Sequence, residues 1–93
     1  MIVNFKCKNT QELWLRGKNK KLPPEIHRVA LRKLLQLDNA EILRDLEAPP
    51  NNNLEGLKGN RLGQYSIRIN KQWRICFKWE NMQVKDVEIV DYH

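Results

Sequence analysis

The last third of the chain constrains the fold most. Two stretches of alternating character stand back to back, residues 64–69 and 73–79, and a third, 84–90, runs into the end of the sequence. In the first, Tyr65, Ile67 and Ile69 share one parity, with Ser66 and Arg68 opposite. In the second, Trp73, Ile75, Phe77 and Trp79 alternate with Arg74, Cys76 and Lys78. Period-two alternation predicts strands with one apolar face. The short connections, residues 70–72 and Glu80-Asn81, predict antiparallel neighbours. In the third strand Val87 and Ile89 set a parity that continues to Asp91 and His93, leaving Tyr92 on the other face.

The first half reads differently. Residues 1–5 predict a short opening strand, with Val3 and Phe5 on one face and Asn4 and Lys6 on the other. Thr10 is a suitable N-cap for a short helix that makes apolar contacts through Leu13 and Trp14 and ends at Gly17. After a basic loop, residues 18–21, Pro23 and Pro24 open a second helix predicted over 24–37. Ile26, Ala30, Leu34 and Leu37 form its buried stripe, widened by Val29 and Leu31. Residues 39–46 predict a further helical turn with Ile42, Leu43 and Leu46 as its apolar contacts, and 48–53, rich in proline and asparagine, a loop. At 93 residues the chain is read as one domain. The expected class is α+β: an N-terminal strand and two or three helices packed on an antiparallel-rich sheet of about four strands.

The formal charge is +6, and its distribution is uneven. Before residue 41 there are nine basic residues against three acids; beyond it the two signs balance at eight each. An acidic partner such as nucleic acid fits this charge. Lys18, Lys20, Lys21, Arg28, Arg32 and Lys33 are the N-terminal candidates for phosphate contacts, with Arg28 and Arg32 four apart on one helix face. The two cysteines, Cys7 and Cys76, have neither metal spacing nor a disulfide framework. A reducing, cytoplasmic setting is expected, and no apolar run is long enough to span a membrane.

The C-terminal part carries the residue types for metal-free cleavage of RNA. Such chemistry needs a base for the 2′-hydroxyl, an acid for the leaving 5′-oxygen and a cation for the phosphorane. Asp91 and His93 can carry protons; Lys58 and Arg74 can supply cations; Tyr92 can stack on a base or donate its hydroxyl. Arg61 and Arg68 add basic character to the same region. No phosphate loop, zinc motif or nucleophile elbow is present, and no cofactor is implied. Each residue also has a structural alternative. Arg74 is a natural cross-strand partner for Glu88 or Asp86, Lys58 a solvated loop charge, Tyr92 a strand-end packing residue, His93 the end of a tail, and the Arg28/Arg32 pair a solvated helix face. Trp14, Trp73 and Trp79 read as core, and His27 as a helix-surface or partly buried histidine.

Taken together, Leu57-Lys58-Gly59, Tyr65-Ser66-Ile67-Arg68, Trp73-Arg74-Ile75 and the terminal Val90-Asp91-Tyr92-His93 resemble the HigB-type toxins. These belong to the RelE/ParE superfamily of toxin–antitoxin modules, also called plasmid maintenance system killer proteins. The resemblance covers almost the whole chain. It implies a RelE-like fold and a ribosome-dependent, metal-free mRNA endoribonuclease that halts translation. It also implies a helix-turn-helix, HigA-like antitoxin whose complex with the toxin binds operator DNA. By position, Lys58 and Arg74 resemble the phosphate and transition-state cations, Asp91 and His93 the proton-transfer residues, and Tyr92 a substrate-contacting aromatic. Family members can carry a histidine just before the Leu-Lys-Gly motif. Here that stretch is Leu54-Glu55-Gly56, and either Glu55 takes its place or the site relies on Asp91 and His93. Two alternatives stay open: a ParE-like toxin that binds DNA gyrase without cutting RNA, and an inactive regulatory partner of an antitoxin.

Overall fold

A computed structural model of the protein describes residues 1–92; the expectation placed on His93 lies outside them. Helix α1 spans Lys8–Arg16 and α2 spans Pro24–Asn39. Strands β1 (Glu55–Gly56), β2 (Gln64–Arg68), β3 (Trp73–Glu80) and β4 (Gln83–Asp91) form one sheet in that order, every neighbouring pair antiparallel. Sheet and helices agree with the α+β expectation, but β1 is not foreseen by the sequence pattern. The residues before Gln64 read as an irregular path, and Gly56 pairs there with Tyr65.

The opening segment is not a regular strand. It runs parallel to β4 through two separate bridges, Ile2 to Val84 and Phe5 to Val87. Ile2 and Phe5 pack on the core while Val3 is 43 % exposed, so the expected Val3/Phe5 parity fails. The reason lies in β4. Between the pairs Cys76–Glu88 and Lys78–Lys85 the register shifts, leaving one extra residue on β4. Asp86, at φ +51°, stands in this bulge. Inward positions on β4 are therefore three apart at Val84 and Val87, and the opening segment matches that step. Asn4 braces the bulge: its Nδ2 donates to Asp86 Oδ1 at 2.8 Å, and its Oδ1 accepts from the Asp86 N–H at 3.1 Å.

Helix α1 starts after Cys7, one turn before the expected cap. Thr10 instead lies buried inside it, and its Oγ1 accepts from the Ile89 N–H at 2.9 Å, tying the helix to β4. Gly17 closes α1 as expected, in the left-handed region at φ +81° with its N–H on the Leu13 carbonyl at 2.8 Å. Helix α2 opens with Pro24 in its first turn and runs two residues past the predicted end. Its stripe Ile26, Ala30, Leu34 and Leu37 meets Leu13, Ile67, Ile75, Phe77, Val84 and Val87 in one core. In the 3₁₀ turn Leu43–Glu47, Leu46 is buried, while Ile42 just before it is exposed, contrary to its expected apolar role. Each buried aliphatic or aromatic side chain contributes roughly 1.5–3 kcal/mol, which makes this layer the main source of stability.

The helices thus cover one face of the sheet, that of Ile67, Ile75, Phe77 and Ile89. Register puts Ser66, Arg68, Arg74, Cys76 and Glu88 on the other face, with Glu55 opposite Ser66. No helix among the described residues is long and apolar enough to cross a membrane.

Candidate active site on the helix-free face

Arg74 is the centre of this face. Only 8 % exposed, it is an arginine near the start of an inner strand, a position that requires partners for its buried donors. They are present. Nε donates to Ser66 Oγ at 2.8 Å, and Nη2 donates to the Asn53 carbonyl at 2.6 Å and the Ser66 carbonyl at 3.3 Å. Glu55 Oε1 lies 3.5 Å from Nη2. The guanidinium carbon sits 5.6 Å from the centre of the Tyr92 ring, within cation–π range. Nη1 has no hydrogen-bond partner among the described residues. The cation is held on one edge and presented on the other, as stabilising a developing negative charge requires.

The cross-strand alternative for Arg74 does not hold. Glu88 is taken by Arg61 at 2.8 Å and Lys6 at 3.9 Å, and Asp86 by Asn4 and Lys78. The Glu88 hydrogen bond pushes the Arg61 guanidinium further up, and Arg61 also donates to Gln64 Oε1 at 3.2 Å. Arg61 is thus an engaged structural cation. The Cys76 thiol on the same face is pushed up by burial, which keeps it protonated.

A concavity of about 290 Å³ opens beside Arg74, lined by Asn53, Arg68, Asn70, Lys71, Arg74 and Tyr92. It unites three of the expected site residues: Arg74, Tyr92 and Arg68. Glu55 joins them through its contact with Arg74. Lys58 does not line it; it is exposed at the start of the 3₁₀ turn Gly59–Arg61. Asp91 pairs in register with Trp73, on the parity opposite Arg74, and accepts from Gln72 Nε2 at 3.0 Å. Lys71, Asn53 and Ser66 are not singled out by the sequence. Asn53 follows a run of loop asparagines and holds a left-handed backbone at φ +44° that aims its carbonyl at Arg74.

The N-terminal basic residues divide. Lys18, Lys20 and Lys21 line a groove with Arg16, Glu12 and His27, and Arg28 and Arg32 are exposed on α2. Asn19 fixes this loop, accepting from the Lys21 and Leu22 N–H groups at 2.8 and 3.1 Å. His27 is structural, its Nε2 2.9 Å from the Leu22 carbonyl oxygen. Lys33 departs from its expected phosphate role. It is 4 % exposed, its ammonium donates to Asn52 Oδ1, and burial, with Arg32 nearby, pulls its pKa down. Asn52, fully buried, passes its own donors to the Leu46 and Ala48 carbonyls. Among the described residues no cluster of three or more His, Cys, Asp or Glu could hold a metal ion.

Comparison with known proteins agrees with this architecture. Residues 3–93 match the family described as RelE-like toxin of type II toxin-antitoxin system HigB. Toxin HigB-1 of Vibrio cholerae serotype O1 is 41 % identical over 80 residues, 85 % of this chain and 84 % of that protein. Endoribonuclease HigB of Proteus vulgaris is 32 % identical over 94 aligned positions, covering all of both chains. Among solved structures, the YoeB-YefM complex from Staphylococcus aureus superposes with a TM-score of 0.63 at 22 % identity, covering 100 % of this chain and 95 % of that one. A mutant of YafQ from E. coli gives 0.58 at 16 %, covering 97 % and 88 %, so these two share the fold. By sequence match along nearly its full length and by fold, the chain belongs to the HigB family of RelE-like toxins of type II toxin–antitoxin systems.

Proposed function

We propose that residues 1–93 act as one domain, a metal-free mRNA endoribonuclease (an mRNA interferase) that cuts messages on the ribosome and so inhibits translation. The observation that carries this reading is Arg74: a buried guanidinium oriented by Ser66 and Asn53 on an open face, with an aromatic ring and a carboxylate beside it. The full-length relative named Endoribonuclease HigB supports the same activity.

In the proposed reaction a base removes the 2′-hydroxyl proton. The 2′-oxygen attacks the adjacent phosphorus, and the P–O5′ bond breaks as an acid protonates the leaving 5′-oxygen. The products are a 2′,3′-cyclic phosphate and a 5′-hydroxyl end. Arg74 stabilises the phosphorane charge, a role typically worth a factor of about 10²–10³. Lys58, exposed at the start of its turn and outside the concavity, is the proposed second cation. Tyr92 stacks on a base. Asp91, His93 and Glu55 are the candidate proton carriers; Glu55 already lies within ion-pair range of Arg74, whereas Asp91, in register with Trp73, takes part only if it turns round the end of β4 to the Arg74 face.

The ribosome is the setting, which makes the location cytoplasmic. Lys18, Lys20, Lys21, Arg28 and Arg32 contact ribosomal RNA phosphates, a salt-sensitive attraction. The partner that silences the toxin is a helix-turn-helix antitoxin, and their complex reads operator DNA.

The test is controlled expression of the wild type and of Arg74→Ala, followed by mapping of mRNA 5′ ends in translated and untranslated messages. Cuts confined to translated frames and lost in the variant are expected. Growth arrest with no cuts would overturn the nuclease reading in favour of a protein-poisoning toxin.

A further inference from the structure

Lys33 is buried in the apolar stripe of α2, where desolvation pulls its pKa down. An apolar side chain of similar volume at such a place is often neutral or stabilising, so stability alone does not account for a charge there. Its hydrogen bond leads to another role. The ammonium donates to Asn52 Oδ1, and one turn further along α2 Gln36 Oε1 accepts from Asn52 Nδ2 at 3.1 Å. Gln36 Nε2 donates in turn to the Ala48 carbonyl at 2.5 Å. Among the described residues of 48–53, Asn52 alone is buried; Ala48 and both prolines are exposed. Two α2 side chains therefore fix where this loop sits. Its last residue, Asn53, is exposed but gives its carbonyl to Arg74 Nη2 at 2.6 Å.

We infer that Lys33 is a positioning residue for the candidate active site: by holding Asn52 it sets the Asn53 carbonyl that orients the Arg74 guanidinium. The two faces of the sheet are linked in this way. Helix α2 packs on one face, Arg74 lies on the other, and the loop leads from the helix layer into the edge strand β1. Ser66 Oγ holds Nε at 2.8 Å and Asn53 holds Nη2, and two fixed nitrogens define the guanidinium plane. Without Lys33 the Asn52 amide loses the donor that orients it, and the loop is free to shift. Arg74 then keeps its bonds to Ser66 and loses the shorter of the two holds on Nη2. The inference rests on the nuclease reading only for the effect on cleavage; the orientation of Arg74 stands apart from it.

The test uses the full chain as wild type, Lys33→Met, Gln36→Ala and a core control on the same helix stripe, Ile26→Val. Gln36 is half-buried, so its truncation keeps the fold should Lys33→Met not. Urea unfolding establishes which variants are folded. Low-temperature NMR of arginine-labelled protein follows the Arg74 guanidinium, its signals assigned by their absence in Arg74→Lys. In the wild type a held Nη2 gives resolved protons. In Lys33→Met these should merge through rotation about Cζ–Nη2, while the Nε–H on Ser66 keeps its shift. Gln36→Ala should move them the same way, and Ile26→Val should leave them in place. Single-turnover cleavage at saturating ribosomes should fall roughly three- to tenfold in Lys33→Met, the rate equivalent of one weakened hydrogen bond, with the half-saturating ribosome concentration unchanged. Nη2 protons already averaged in the wild type, or resolved alike in wild type, Lys33→Met and Gln36→Ala, would overturn the inference. So would a loss of cleavage no greater than with Ile26→Val. A wild type that cuts no message would sink the nuclease reading alone, and the Arg74 signals would still decide this one.

Discussion

Nε of Arg74 donates to Ser66 Oγ at 2.8 Å, from the start of β3 to the middle of β2. The serine is fully buried, so its hydroxyl exists in this fold to orient the arginine. Ser66→Ala removes one of the guanidinium's three hydrogen-bond acceptors and lets the cation swing. We expect cleavage of ribosome-bound message to fall about tenfold, the rate equivalent of one such bond at about 1.5 kcal/mol. Ribosome association should be unchanged. A variant that cuts at the wild-type rate would show that Ser66 does not orient Arg74.

Arg74→Lys keeps the charge and loses the geometry. A lysine ammonium cannot span the Ser66 hydroxyl and the Asn53 carbonyl and still face a phosphate. The expected loss in cleavage rate is at least about 100-fold, close to that of Arg74→Ala. Single-turnover cleavage at saturating ribosomes measures it, and recovery to within a few-fold of wild type would contradict the oriented-cation role.

Asn52 joins α2 to the loop that carries Asn53. It accepts from the buried Lys33 ammonium and donates to the Leu46 and Ala48 carbonyls at 3.0 and 3.1 Å. Asn52→Ala strands the buried Lys33 charge and removes the side-chain donor of the Leu46 carbonyl, while the Ala48 carbonyl keeps Gln36 Nε2. Destabilisation of roughly 3 kcal/mol or more is expected in urea unfolding. Adding Lys33→Met should recover part of that loss, since no ammonium then remains buried without a partner. Strictly additive losses in the double variant would show that the two side chains are not coupled.

The parts of the fold that follow simple periodicity are legible in the sequence. The α2 stripe, Gly17 and the alternation of β2 and β3 each reflect one local rule. The Val3/Phe5 parity fails because the bulge at Asp86 shifts the step from two to three, and alternation cannot reveal an extra residue. The charge of Lys33 points to solvent, although the residue falls within the same helical stripe as Ile26, Ala30 and Leu37. There the spacing is the better guide than the residue type. For the site, parity alone puts Arg74 and Tyr92 on one face. Lys71 and Asn53 lie in turns, where no period marks direction, and only the folded chain brings them to Arg74.

The bulge carries its own pH signature. The hydrogen bond from Asn4, and secondarily the ion pair with Lys78, hold the Asp86 carboxyl below the usual carboxylate range. A carboxylate lowered in the folded state stabilises fully above its unfolded pKa and loses that contribution as pH falls through the folded value. Asp86→Asn keeps an amide oxygen for Asn4, tolerates the left-handed backbone and cannot titrate. Near neutrality the wild type should be the more stable by well under about 1 kcal/mol, since solvent screens this partly exposed pair. Between about pH 5 and about pH 2 the wild type should lose that advantage and the two melting curves converge. Circular dichroism melts across this range provide the measurement. Melting temperatures that fall in parallel would mean that the Asp86 charge does not contribute to holding the bulge.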